Sequence, residues 1–161
     1  MSALVREVFY PHPREQVWAA LVDSKALGLW LMPNDFEPRV GHAFTFRMEP
    51  GPGWDGVVHC RVLELDPPVR MSWTWHGEGE DTVVRFELEA VEGGTRLHFE
   101  QTGFAGPQGY LVRLILGAGF RTMYQRKLPA YLAGRDVQPE IEDHSRLGMV
   151  LARLFAPITR R

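Results

Sequence analysis

Three sets of side chains in this 161-residue chain have the types and spacing that chemistry requires. Arg121 stands in an apolar run, one helical turn from Ala118 and Gln125 and beside Tyr124. A guanidinium facing an apolar cavity would orient a carboxylate or carbonyl of a ligand, although the same side chain could pair with a sheet carboxylate or sit at a rim. His59 and Arg61 share the parity of Leu63 and Leu65. In an unbroken strand His59 would then serve as acid, base or hydrogen-bond donor to a bound molecule, and one bulge would turn both residues outward. His98 and Glu100 alternate with Leu97 and Phe99 and are expected on a wet face.

Other chemistries find no support. The six histidines show neither a two-His helical spacing nor a neighbouring carboxylate cluster, so no metal is expected. The glycines fall between strand-like segments, which leaves no nucleophile elbow, phosphate loop or dinucleotide fingerprint and no expected cofactor. Cys60 is the single cysteine, which excludes an intrachain disulfide and fits a small buried apolar residue in a reducing compartment. A net charge of −2, with 16 arginines scattered along the chain, gives no basic footprint for nucleic acid. No run approaches the roughly 20 apolar residues of a membrane span, and the first residues do not read as an export signal. A cytoplasmic location is the expectation.

The elements that must hold these residues can be read from periodicity. With 45% hydrophobic residues the chain can bury a core as one domain. Leu4 to Tyr10 reads as a first strand closed by Pro11 and Pro13. Val17, Trp18, Leu21 and Val22 then recur at helical spacing, and Ser24 is placed to cap a second short helix ended by Pro33. From Val40 to Thr102 the period becomes two, clearest in Phe44 to Met48, Met71 to Trp75 and Val84 to Leu88. Gly51-Pro52-Gly53, Asp66-Pro67-Pro68, Gly77-Glu78-Gly79 and Gly93-Gly94 divide this stretch into an antiparallel meander. Tyr110 to Ala133 predicts a helix of about 36 Å with Leu114, Ala118, Arg121, Gln125, Leu128 and Leu132 along one side, kinked or ended by Pro129. Ser145 could cap a short amphipathic helix bearing Leu147, Val150, Leu151, Leu154 and Phe155.

Strand, two short helices, long meander and long terminal helix is an α+β helix-grip order, with a curved antiparallel sheet of six or seven strands wrapping the last helix. It resembles the START-like, or birch-pollen-allergen-like, SRPBCC superfamily. Within that superfamily the details resemble the AHSA-type group, related to the Hsp-ninety ATPase activator: Pro13 to Trp18, Leu29-Trp30, Val40 to Phe44, Leu63 to Pro68, Ser72 to Trp75, Gly93 to Leu97 and Gly103-Phe104. Each of these positions has a structural reason, glycines for turns, prolines for stops and tryptophans for the core. The expected organisation is a helix-grip domain over residues 1–134 and a C-terminal extension over 135–161 that could pair two copies.

The first expectation for function is binding, without covalent change, of a hydrophobic or aromatic small molecule of lipid or polyketide kind between sheet and long helix. Its expected lining is Phe44, Phe46, Trp54, His59, Trp73, Trp75, Phe86, Phe99, Arg121 and Tyr124. Typical small-molecule sites occupy 300 to 1,000 Å³, so a cavity below about 150 Å³ would weigh against this expectation. The resemblance also implies two alternatives, a cyclase, aromatase or hydrolase using the same cavity, and a chaperone-ATPase-activating partner.

Overall fold

The computed structural model describes residues 2–50, 55–77 and 80–137. Six strands form one antiparallel sheet: β1 (Ser2–Tyr10), β2 (Ala43–Arg47), β3 (Val57–Asp66), β4 (Arg70–Gly77), β5 (Glu80–Val91) and β6 (Gly94–Phe104). Their order is β1-β6-β5-β4-β3-β2, so the meander runs unbroken from β2 to β6 and the first strand closes beside the last. The helices α1 (Arg14–Val22) and α2 (Ser24–Trp30) follow β1. The long C-terminal helix consists of α3 (Gly106–Thr122), a π turn over Met123–Lys127, and α4 (Leu128–Leu132). This is the expected α+β helix-grip arrangement, with six strands. Trp54 and the proposed helix after Ser145 lie outside the described residues.

Parity along each strand decides which side chains enter the core. Phe44 and Phe46 of β2, Val58, Cys60 and Val62 of β3, Met71 and Trp73 of β4, Val84, Phe86 and Leu88 of β5, and Leu97 and Phe99 of β6 are all buried. They form one hydrophobic cluster with Trp18, Leu21, Leu27 and Trp30 of the short helices. Edge-to-face contacts tie the aromatic part together, with ring centres 5.5 Å apart for Phe44 and Trp73 and 4.9 Å for Trp73 and Phe86.

Local sequence fixes the crossings. Asp23, rather than Ser24, caps α2 by accepting from the Lys25 amide at 3.0 Å. Asn34 then stitches the exit from α2, donating to the carbonyls of Ser24 and Met32 and accepting from the amide of Phe36. At the β5–β6 turn, Gly93 has φ +80°, and a side chain on Gly94 would collide with the Tyr10 carbonyl. Thr95 next to it donates to the His12 carbonyl at 2.8 Å, so this turn also fastens the end of β1.

The long helix departs from its expected face. Val112, Phe120, Tyr124, Leu128 and Leu132 are buried, with Leu116 partly so, whereas Leu114, Ala118, Arg121 and Gln125 are exposed. The buried residues recur every four positions, which on a regular α-helix drifts about 40° at each step. The π turn at Met123–Lys127 holds one extra residue, which takes up about 100° of this drift between α3 and α4. Projecting backward from Leu128 at α spacing therefore lands about one residue, or 100°, from the true face.

The π turn has its own chemical signature. The Leu128 amide donates to the Met123 carbonyl, five residues back. The next donor in that pattern would be Pro129, which has no N–H, so the Tyr124 carbonyl loses its helical partner. The Tyr10 hydroxyl replaces it, donating at 2.7 Å from the end of β1.

Candidate functional site

Under the long helix, against the inner face of the sheet, lies an apolar cavity of about 60 Å³. The sheet contributes Leu4, Val58, Trp73, Trp75, Val84, Phe99 and Gln101, and the helix covers them with Leu116, Gly119, Phe120, Met123 and Tyr124. Leu31, Met32 and Met48 complete the wall. The volume falls below the 150 Å³ threshold and far below the 300 to 1,000 Å³ of ordinary small-molecule sites. As packed, the interior does not accommodate a lipid- or polyketide-sized guest.

Of the residues expected to line a site, Trp73, Trp75, Phe99 and Tyr124 border this cavity. Phe44, Phe46 and Phe86 are buried in the adjoining aromatic cluster, Phe86 lying 6.0 Å from Tyr124 between ring centres. His59 and Arg121 are elsewhere. His59 is exposed because Val58, Cys60 and Val62 own the inner parity of β3, which sends His59, Arg61 and Leu63 outward together. The register shift in that strand comes later, between Val62 and Glu64, and it lets Leu65 pack against the core. Arg121 is exposed on the solvent face of α3 for the reason given by the π turn. His98 keeps to the outer face, where it meets Glu7 at 3.2 Å.

Several lining residues carry no signal beyond ordinary hydrophobicity, and Met32, Met48, Leu31 and Phe120 are of this kind. Gln101 is different. It is a polar residue at the parity of Leu97 and Phe99, and it is 3% exposed. Its amide nitrogen donates to Thr82 Oγ1 at 2.9 Å, and Thr82 donates in turn to the Trp75 carbonyl at 3.0 Å. The alternation that places His98 outside places Gln101 inside.

The electrostatics of the interior suit uncharged chemistry. Burial pushes the Tyr124 hydroxyl well above its usual range, with the neighbouring Tyr10 adding to the shift, so it stays protonated. Burial likewise raises the Cys60 thiol, which makes it a poor nucleophile. Among the described residues no Arg, Lys, His, Asp or Glu borders the cavity. The indole N–H of Trp73 is shut away from solvent with no partner among the described residues. Among those residues no group of three or more His, Cys, Asp or Glu converges as a metal would require. No helix among them is long and apolar enough to cross a membrane.

Comparison with known proteins adds a lineage to this geometry. The family described as "Activator of Hsp90 ATPase homolog 1-like protein" matches residues 11–133. The crystal structure of MLL2253 from Mesorhizobium loti is 33% identical, with a TM-score of 0.75 over 84% of this chain and 99% of that one. DynU16, a protein in the dynemicin biosynthetic locus, is 20% identical, with a TM-score of 0.71 over 86% of this chain and 50% of that one. The Aha1 dimer from Colwellia psychrerythraea is 19% identical, with a TM-score of 0.58 over 78% of this chain and 99% of that one. The last two share the fold. No curated protein matches the sequence.

Proposed function

The chain belongs to the Activator of Hsp90 ATPase homolog 1-like family, and from that membership together with the cavity under its long helix we propose that it binds a hydrophobic or aromatic small molecule there. The observation that carries this reading is the composition of the wall. Three methionines, Met32, Met48 and Met123, meet at the void, and unbranched thioether side chains repack more readily than any other core residue. The pocket enlarges as these side chains change rotamer and the middle of α3 lifts. The far end of the helix stays anchored by the Tyr10 hydroxyl on the Tyr124 carbonyl and by Gln16 on the Leu132 carbonyl at 3.2 Å. The place of DynU16 in a biosynthetic locus is consistent with a small organic guest.

Native mass spectrometry and solvent extraction of the purified protein test this. A bound organic molecule is expected with the wild type and is expected to be lost in Leu116→Phe, which fills the void while leaving the melting temperature unchanged or higher. Recovery of the same molecule from Leu116→Phe would place it outside the cavity.

A second reading, a chaperone partner, is supported by the family's description and by the exposed Tyr110, Leu111 and Leu114 on the outer face of α3. Unchanged chaperone ATPase rates in the presence of this protein would dismiss it. The Aha1 relative is a dimer, and a homodimer of this chain through residues 135–161 is tested by comparing its size in solution with and without them. A cyclase-like or hydrolytic activity would have to work without His59 and Arg121, which face away from the cavity.

A further inference from the structure

One polar group on the wall of this cavity, the Gln101 amide, is held in a single orientation. The two ends of a glutamine amide have nearly the same shape, and only their partners tell the oxygen from the nitrogen. Here the partner decides. Thr82 gives its one hydroxyl proton to the Trp75 carbonyl at 3.0 Å. Its oxygen can then only accept from Gln101 at 2.9 Å, which makes the contacting atom the amide nitrogen. The amide carbonyl, Oε1, is left without a protein partner among the described residues, on a buried side chain that borders the cavity.

Packing alone does not account for this arrangement. Val84 lies directly across from Gln101 in the β5–β6 pairing, and Leu97 and Phe99 precede it on the same face, so an aliphatic residue would fit the surroundings. Burying an amide at this position costs desolvation free energy that an aliphatic side chain would not. Thr82 is also buried, so the residue that sets the orientation is itself out of reach of water.

We propose that Gln101 is the specificity residue of the cavity and that the ligand is an apolar, ring-sized molecule presenting a hydroxyl or N–H donor to its Oε1. The proposal rests on the cavity being a binding site. It disfavours carboxylates, since among the described residues no cationic side chain borders the cavity. It disfavours plain hydrocarbons because they leave the carbonyl unpaired. Tyr124 borders the same cavity, and because its hydroxyl both donates and accepts it does not distinguish a ligand that brings a donor from one that brings an acceptor.

Indole and indene have almost the same shape, and only indole has an N–H. In an NMR titration of the full chain, following the Trp indole and Met methyl signals, indole is expected to bind about tenfold more tightly than indene. Gln101→Leu, with its fold verified by an unchanged spectrum away from the cavity, is expected to bind indene at least as well as the wild type does and to lose the preference. Thr82→Val frees the amide to turn and is expected to reduce the preference several-fold while retaining binding. Equal affinity of the wild type for both probes, or an undiminished preference in Gln101→Leu, overturns the role of Gln101 and leaves the cavity reading standing. If neither probe moves the cavity signals, the cavity reading fails and this proposal goes with it.

Discussion

At the scale of single residues, burial separates the aromatic side chains that build this protein from the ionisable ones that decorate it. Trp73 is 1% exposed at the centre of the aromatic cluster, so Trp73→Ala is expected to cost about 3 kcal/mol or more, read from denaturant unfolding. His59 and Arg121 are surface residues, and His59→Ala and Arg121→Ala are each expected to change stability by less than about 0.5 kcal/mol and to leave indole binding intact. An effect of either on binding would mean that the pocket lies elsewhere. The aromatic lining was readable because Trp, Phe and Tyr at dry parity have few places to go but inward. His59 and Arg61 were not, since Leu63 shares their side of β3 and makes an outer face look like an inner one. Gln101 could have been found by applying to it the alternation that assigns His98 to the wet face.

At the scale of elements, period-two alternation and the Gly and Pro breaks made the strands legible, and the helical spacing behind Pro13 did the same for α1. The face of the long helix was hidden, because a π turn adds a residue whose presence no hydrophobic pattern announces. Pro129 was the available clue: it removes a backbone donor near the end of the helix, and the lost bond is recovered from Tyr10. Tyr10→Phe deletes that donor while keeping the ring, and the buried Tyr124 carbonyl is left unpaired. The expected loss is about 1 to 3 kcal/mol in unfolding free energy. The same pair gives the fold an alkaline limit. Burial raises the Tyr10 and Tyr124 hydroxyls above their ordinary value of 10.0, so the folded chain keeps protons that the unfolded chain gives up. Their contribution is therefore complete below pH 10 and declines as the pH climbs toward the folded values. Stability measured from pH 9 upward should fall less steeply in Tyr10→Phe than in the wild type; equal slopes would mean that Tyr10 is not the titrating group.

At the scale of the whole molecule, a six-stranded sheet folded against one long helix leaves a small void where the two surfaces meet. Order and composition of the elements made that architecture and its family readable from sequence. The size of the void was not, because it depends on a few methionine rotamers and on how closely the helix settles. A guest must add to the 60 Å³ already present, so binding and a shift of α3 are one event. A crystal structure of the protein grown with indole decides whether that event occurs. Density for the ring between Gln101, Phe120 and Tyr124, with α3 displaced from the sheet and the indole N–H within hydrogen-bond distance of Gln101 Oε1, is the predicted result. An interior unchanged and closed at saturating indole, with the ring bound only on the outer surface or not at all, would contradict the account.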